Sequence, residues 1–212
     1  MSCYLPSKWK RLKELKNAVT TLIHPPSATW QPDDILIVCD AIFAYTSLFN
    51  ADCINAVNNL IESAKTNNIE IVFTKWSRTS RKLNDAIDTK GHWSDYVPGD
   101  QTDLLFSVHG IHVVDVYHTN ALCSPEVEKL LINKKRIILA GCWTESCILH
   151  TARAATEKAD MLPSIIVKPA TTGHFPMSFI SLLTLQMLYA DVVHQMKSTL
   201  TTSSRLRQQL IS

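Results

Sequence analysis

The sequence predicts an α/β domain of three layers: one doubly wound, parallel sheet with helices on both faces. Three observations predict it. Apolar runs of strand length recur along the 212 residues, and segments of helical spacing separate them. The runs are apolar throughout rather than alternating, which is typical of strands covered on both faces. Strands that alternate with helices pair in parallel, because each helix returns the chain to the same end of the sheet.

The elements begin with an amphipathic segment. Residues 1–32 comprise a basic helix over 7–23 and a proline-rich lead-in. We expect this helix to pack on the domain through its apolar face; a helix that binds a membrane surface or a partner is the alternative. The main domain is predicted over 33–196, and a polar tail over 197–212 follows it.

Strands and helices alternate within the main domain. The predicted strands are apolar runs: Ile35–Cys39, Glu70–Thr74, Ile111–Val116, 136–140 and Ile165–Val167. The predicted helices have apolar residues at helical spacing: 50–66, 124–134, 145–159 and 177–196. The long segment 76–108 is rich in Trp, Gly, Pro and Asp and is predicted to be irregular. Sheets of this kind bind ligands at the carboxyl ends of their strands.

The composition is that of a globular protein with one buried core. Hydrophobic residues make up 46% of the chain and charged residues 19%. A formal charge of +2 gives no reason to expect a nucleic acid partner, and no apolar run is long enough to span a membrane. Six scattered cysteines favour reduced thiols, and no apolar signal-peptide core follows the basic N-terminus. We therefore expect a cytoplasmic protein.

The sequence offers no pattern for a cofactor or a metal ion. Its five glycines do not cluster into a phosphate-binding loop. Its eight histidines show no ligand spacing such as His-x-x-x-His. We expect no cofactor and no metal, and a small molecule as the substrate.

Two residues with catalytic chemistry lie where predicted strands end. Asp40 directly follows the first strand, so its carboxylate is expected at the carboxyl edge of the sheet, as a general acid/base or as a turn cap. Cys147 follows the apolar run 137–140, which Gly141 is expected to end, and lies near the first turn of a helix that starts at about Thr144. There the helix dipole and the unpaired amides favour a thiolate, although buried cysteines are mostly inert.

The segments around these residues match a known family. They read Ile-Leu-Ile-Val-Cys-Asp-Ala-Ile-Phe-Ala-Tyr (35–45), Trp93 with Val-Pro-Gly-Asp (97–100), and Leu-Ala-Gly-Cys-Trp-Thr-Glu-Ser-Cys-Ile-Leu-His-Thr-Ala-Arg (139–153). In this order they resemble the isochorismatase-like cysteine hydrolases, which include nicotinamidases and N-carbamoylsarcosine amidohydrolases. The resemblance covers residues 33 to about 196. We expect a Rossmann-like sheet with strand order 3-2-1-4-5-6.

The resemblance implies roles for particular residues. Cys147 is implied as the nucleophile and Asp40 as the acid/base. A non-proline cis peptide is implied before Thr144, in the turn that contains Trp143, and the amides of Thr144 and Cys147 are implied to form an oxyanion hole. Members of the family commonly form dimers or larger assemblies, so we expect a homo-oligomer.

One position departs from the family. The family has a catalytic lysine at the end of its third strand, and in this chain either Val116 or Tyr117 occupies that position, depending on the alignment. Neither side chain supplies a positive charge to stabilise a thiolate. Lys75, at the end of the second strand, and His118 are the candidate substitutes for this cation.

Aromatic residues accompany the predicted strand ends. Tyr45, Trp76 and Trp93 are predicted to line a substrate pocket for a small planar or apolar compound. Packing in the core or in loops is the alternative for each of them.

The predicted function is hydrolysis of a C–N bond in a small amide or ureido compound, with Cys147 attacking the carbonyl. Isochorismatase action on a vinyl ether is less expected, because enzymes of that kind usually carry glycine where this chain has Cys147. The alternative is a catalytically impaired homologue that binds a small molecule or a protein, a reading that the missing lysine favours.

Overall fold

The computed structural model describes residues 5–76, 103–158 and 162–198. Its helices are α1 Leu5–Ile23, α2 Ala51–Thr66, α3 Pro125–Leu130, α4 Leu149–Glu157 and α5 Met177–Leu188. Its strands are β1 Ser27–Thr29, β2 Asp34–Cys39, β3 Glu70–Trp76, β4 His112–Val116, β5 Arg136–Cys142, β6 Ser164–Thr172, β7 Ala190–Val193 and β8 Gln195–Lys197. Short helical turns lie at Phe43–Leu48, Ala121–Cys123 and Thr144–Ile148.

Six of the described strands form one parallel sheet in the order β4-β3-β2-β5-β6-β7. This confirms the expected fold class and strand order, counted from β2. The chain starts in the middle of the sheet, adds strands toward one edge, and then returns past the centre to the other. The reversal lies between β2 and β5, so their carboxyl ends open the crevice in which such sheets hold ligands. The short strands β1 and β8 pair with each other outside this sheet.

The core lies on both faces of the sheet, because β2 is buried along its whole length. Leu36 and Val38 face one hydrophobic cluster, which includes the buried side of α2. Ile35, Ile37 and Cys39 face the other, which includes buried side chains of α1, α3, α4 and α5. Successive side chains of a strand point to opposite faces of the sheet. A strand of uninterrupted apolar residues therefore packs against helices on both faces.

The predicted C-terminal helix over 177–196 is wrong in its last third. Helix α5 ends at Leu188, and the chain continues as β7 and β8. The whole segment is rich in apolar residues, so its pattern shows no end to the helix. Strand pairing determines where the helix ends. Ala190–Val193 pairs in parallel with the outer side of β6, where its β-branched residues and backbone complete the sheet.

Helix α1 packs against α5. The buried Leu22 anchors its C-terminal end, and the Lys168 ammonium donates a hydrogen bond of 2.5 Å to the Leu22 carbonyl. A cation at this end of a helix satisfies a carbonyl that lacks a partner within the helix. None of the helices in the described ranges is long and apolar enough to cross a membrane.

A buried ion pair joins β2 to β5 at the amino end of the sheet. Arg136 donates to both carboxylate oxygens of Asp34, at 2.8 and 2.7 Å, and also to the Thr29 carbonyl at 2.7 Å. The Asp34 side chain is 0% exposed and that of Arg136 is 20% exposed. We expect Asp34→Ala to lower the free energy of unfolding by about 3 kcal/mol, because the guanidinium loses its buried partner.

Urea denaturation measures this loss, and the neighbouring pair provides a control. Asp33 and Lys135 form an ion pair of 2.9 Å, but their side chains are 45% and 80% exposed. Asp33→Ala is expected to change the free energy of unfolding by less than about 1 kcal/mol. Equal losses in the two variants would contradict a structural role for the Asp34 pair.

Candidate active site

Asp40 leaves the central strand β2 in a left-handed backbone conformation. Its φ is 45°, which is uncommon for residues other than glycine. Its amide donates to the Thr74 carbonyl at 3.0 Å. Its carbonyl accepts from the Ile42 amide at 2.9 Å and from the Cys142 thiol at 3.0 Å. These contacts tie Asp40 to both neighbouring strands, β3 and β5, and the residue is 1% exposed.

Cys147 lies in the π-helical turn Thr144–Ile148, which connects β5 to α4. The Trp143 carbonyl accepts hydrogen bonds from the amides of Ser146 and Ile148, at 3.0 and 3.1 Å. These bonds hold the turn closed at the start of α4. The thiol is therefore placed at the carboxyl edge of β5, beside the strand from which Asp40 emerges.

Two expectations about this turn are corrected. The cis peptide bond joins Cys142 to Trp143, one residue earlier than the bond expected before Thr144. Strand β5 runs through Cys142 instead of ending at Gly141. The physical reason for the longer strand is the φ of 99° at Gly141, which keeps the backbone paired with Cys39 of β2 in a conformation that side chains disfavour.

Gly141 lies so close to the backbone of β2 that it leaves no room for a side chain. A Cβ atom added there would lie 2.1 Å from the Cys39 carbonyl oxygen. Gly110 provides a matched control, since it also has a positive φ, 71°, but an added Cβ would meet nothing within 4 Å. We expect Gly110→Ala to cost about 1 kcal/mol of stability and Gly141→Ala at least about 2 kcal/mol more, measured by urea denaturation. Similar losses would show that the backbone conformation alone sets the cost.

The structure brings Asp40 and Cys147 together. Burial raises the pKa of Asp40 to about 7, and hydrogen bonds with the Cys147 thiol and with the Trp76 backbone limit this rise. Burial also raises the pKa of the Cys147 thiol well above its ordinary value, and the nearby Asp40 charge raises it further. At neutral pH the thiol keeps its proton and the carboxyl is close to its titration midpoint. Asp40 is thus the base nearest to the thiol proton.

Val116 and Tyr117, the two residues predicted at the position of the family lysine, have different environments. Val116 is 3% exposed and belongs to the same buried cluster as Cys147. It is the register partner of Trp76, whose backbone bonds to the Asp40 carboxyl. Tyr117 is 43% exposed. Of the two, Val116 is the residue whose side chain lies toward the candidate site.

The two candidate substitute cations lie elsewhere. The Lys75 ammonium is 3.5 Å from the Asp115 carboxylate, its register partner on β4. Lys75 lies on the same face of β3 as Phe73, and Phe73 packs in the cluster on the opposite side of the sheet from Cys147. His118 is exposed and lines a surface groove beside β4. Neither side chain is brought to the Asp40 carboxyl.

Three aromatic rings pack together at Trp143, which directly precedes the turn that contains Cys147. The Tyr45 and Trp143 rings meet edge to face with centroids 5.3 Å apart, and the His174 ring lies 4.4 Å from Trp143 on centroids. Of the predicted pocket residues, Tyr45 is therefore in this group. Trp76 is buried at the end of β3. Trp93 lies outside the described residues.

Glu145 forms a contact that the sequence spacing does not indicate. Its side chain is 6% exposed, and its Oε1 accepts a hydrogen bond of 2.8 Å from the His174 amide. Its Oε2 occupies the space that a side chain at position 173 would need, because a Cβ on Gly173 would lie only 1.9 Å away. The glycine that follows β6 is the one sequence signal of this close approach. Glu145 thus holds the loop after β6 against the turn, and its charge acts on the thiol of Cys142.

The described residues contain no group of three His, Cys, Asp or Glu side chains placed to hold a metal ion. The candidate site combines an acid, a thiol and aromatic rings at the crevice of a doubly wound sheet. The sequence was also compared with known families. The family model of the isochorismatase domain matches residues 34–192, which is most of the chain.

The chain belongs to the isochorismatase family. Solved structures with the same fold include a cysteine hydrolase from Pseudomonas syringae pv. phaseolicola, which is 17% identical with a TM-score of 0.65 over 86% of this chain and 96% of that one. A ribonuclease from Caenorhabditis elegans is 18% identical with a TM-score of 0.61 over 79% and 80% of the two chains. An N-carbamoylsarcosine amidase from Thermoplasma acidophilum is 16% identical with a TM-score of 0.59 over 76% and 95%.

At these identities the three structures show the isochorismatase fold, and the activity that each name states belongs to that protein. A search of curated proteins finds no match.

Proposed function

We propose that this isochorismatase-family protein hydrolyses a C–N bond in a small amide or ureido compound, with Cys147 as nucleophile and Asp40 as general acid/base. The hydrogen bond between the Cys147 thiol and the Asp40 carboxyl carries the proposal. It joins a nucleophile to a base whose pKa is about 7, which suits proton transfer at neutral pH. Both groups lie at the carboxyl ends of β2 and β5, where the strand order reverses.

The reaction follows from this pair. Asp40 takes the thiol proton while the sulfur attacks the substrate carbonyl, and the amides of Thr144 and Cys147 stabilise the oxyanion. Asp40 then gives its proton to the leaving nitrogen, the C–N bond breaks, and a thioester remains on Cys147. Water, deprotonated by Asp40, attacks the thioester and releases a carboxylic or carbamic acid. The thiol regains its proton from Asp40.

The second candidate is a binding protein without hydrolytic activity. It is favoured by the electrostatics of Cys147, because no lysine or arginine of the described ranges is among the groups that shift its pKa. A thiol that stays protonated is a weak nucleophile.

Ammonia release from a panel of small primary amides and ureido compounds tests the proposal. We expect at least one compound to release ammonia, and Cys147→Ser to abolish the release. Cys123→Ser is the matched control, since Cys123 is exposed and free, and it is expected to leave the rate unchanged. Compounds that raise the melting temperature without ammonia release, equally in wild type and Cys147→Ser, would contradict hydrolysis and support the binding protein.

We also propose the oligomeric state and the cellular location of the protein. Exposed apolar side chains on α5 support a homo-oligomer: Met177, Phe179, Ile180, Met187 and Leu188. Light scattering after size exclusion measures its mass, and a monomer at micromolar concentration would contradict it.

The five cysteines of the described ranges are free, which supports a reducing, cytoplasmic location.

A further inference from the structure

We propose that the substrate carries a positive charge close to its scissile carbonyl group, as an ammonium or methylated ammonium does, and that this charge takes the electrostatic role of the family lysine. The inference rests on the proposed function and narrows it to one class of substrate. It depends on the carboxylates, the cations and the aromatic rings around Cys147.

One buried carboxyl group, that of Asp40, contacts the Cys147 thiol, and a second, that of Glu145, belongs to the same turn as Cys147. Asp40 is 1% exposed and the Glu145 side chain 6% exposed. Among the described residues, Oδ1 of Asp40 and Oε2 of Glu145 have no hydrogen-bond partner. A buried carboxylate oxygen without a donor is unfavourable, and a ligand that brings a positive charge or an N–H group relieves it. Within the described residues, these two oxygens favour a ligand with a positive charge over one with a negative charge.

Two lysines of the described residues that could supply a positive charge have other partners. Lys75 is paired with Asp115, and Lys168 is bound to the carbonyl of Leu22. Val116, one of the two residues predicted at the position of the family lysine, is uncharged and belongs to the same buried cluster as Cys147. The His174 imidazole lies beside the turn, with its Nδ1 3.8 Å from Oε1 of Glu145.

The aromatic rings near Cys147 also favour a ligand with a positive charge, for a different physical reason. Trp143 directly precedes the turn of Cys147, and Tyr45 and His174 lie against its ring. The faces of Trp and Tyr rings carry partial negative charge and attract ammonium groups, most strongly where water is excluded. Anionic side chains and indole together are the chemistry with which proteins recognise alkylated ammonium groups.

A bound cation also makes the reaction easier. In a buried site, a positive charge within a few ångströms of a thiol favours the thiolate. A substrate with such a charge would therefore activate Cys147 when it binds, whereas a neutral substrate of the same shape would not. The absence of the lysine becomes a source of selectivity, because only the right ligand completes the site.

Thiol reagents of different charge test whether the site around Cys147 prefers a positive or a negative group. Cys147 is reacted with three methanethiosulfonates: the trimethylammonioethyl, the methyl and the sulfonatoethyl compounds. Rates are read by peptide mass spectrometry and divided by the rates at exposed Cys123 in the same sample, which removes the intrinsic reactivity of each reagent. We expect the normalised rate of the cationic reagent to exceed that of the anionic reagent at least 10-fold. Asp40→Asn should reduce this ratio to about a third or less, and Asp33→Asn, at the far end of the strands, should not change it.

Three outcomes overturn the inference: a ratio within twofold of unity, faster reaction of the anionic reagent, or no reaction of Cys147 with any of the three. Faster anionic reaction would assign the missing cation to residues outside the described ranges, where the sequence has Arg78, Arg81, Lys82 and Lys90.

A pair of amides of equal shape separates this inference from the proposed function. Betaine amide has a trimethylammonium group, and 3,3-dimethylbutanamide has a neutral tert-butyl group in its place. We expect ammonia release from betaine amide to be at least 10-fold faster. Equal rates overturn the charge preference and leave hydrolysis intact. No release from either amide or from any compound of the panel, with the reagent ratio as expected, rejects hydrolysis and leaves the cation preference intact.

Discussion

Asp40→Asn is expected to lower the rate of ammonia release about 1000-fold and, at the same time, to make the protein more stable above neutral pH. The loss of rate has one cause: the amide can neither take the proton of the Cys147 thiol nor return it to the leaving nitrogen. The substitution keeps the size of the side chain. A comparable rate in the variant would exclude Asp40 as the acid/base.

The gain in stability follows from the pKa of Asp40. Its pKa is 3.8 for an unperturbed carboxyl and about 7 in the folded protein, chiefly because of burial. The folded state therefore holds this proton more tightly than the unfolded state. The resulting stability is fully present below about pH 4 and is lost as the pH rises through about 7. The neutral Asn side chain has no such loss.

The stability difference is measured by urea denaturation between pH 4 and pH 8. The variant should become more stable relative to the wild type as pH rises, by an amount on the order of 4 kcal/mol at pH 8. Asp33→Asn, at an exposed carboxylate, is the control and should show no such trend. A variant less stable than wild type at pH 8 would mean that the Asp40 carboxylate is satisfied in the folded protein.

Val116→Lys is expected to increase the rate at which iodoacetamide alkylates Cys147 at pH 7.5 by about 10- to 100-fold. Val116 faces the buried cluster that contains Cys147, and its register partner Trp76 bonds to Asp40 through the backbone. An ammonium group placed there lowers the pKa of the thiol by opposing the effects of burial and of the Asp40 charge. Each unit of that decrease raises the thiolate fraction nearly tenfold.

Two controls make this experiment specific. Val116→Met adds length without charge and is expected to leave the alkylation rate within about twofold of wild type. Tyr117→Lys puts the charge at the alternative alignment position, which is exposed, and is expected to have little effect. A larger increase in Tyr117→Lys than in Val116→Lys would mean that the family lysine aligns with Tyr117. Val116→Lys should also weaken the preference for cationic reagents, because the site then has its own cation.

Much of the fold can be predicted from the sequence, because a strand that is buried on both faces is a continuous run of apolar residues. The runs at β2 and β5 are apolar without interruption, and Asp40 is the first charged residue after one of them. The position of Asp40 and Cys147 at strand ends follows from those runs and from the rule that parallel strands share a carboxyl edge. Strand β7 was not predictable in this way, because its apolar residues suit α5 equally well until β6 is present to pair with them.

The sequence by itself determined the parallel sheet, its family, and the two residues that meet at its crevice. The tertiary structure decided that Val116 rather than Tyr117 is buried in the cluster that contains Cys147, that Lys75 is paired with Asp115, and that Glu145 is in contact with a loop 29 positions away. The physical reason is the range of the interactions. Periodicity along a segment records which of its faces is buried, whereas partners far apart in the chain are chosen only when the packed elements bring their side chains together.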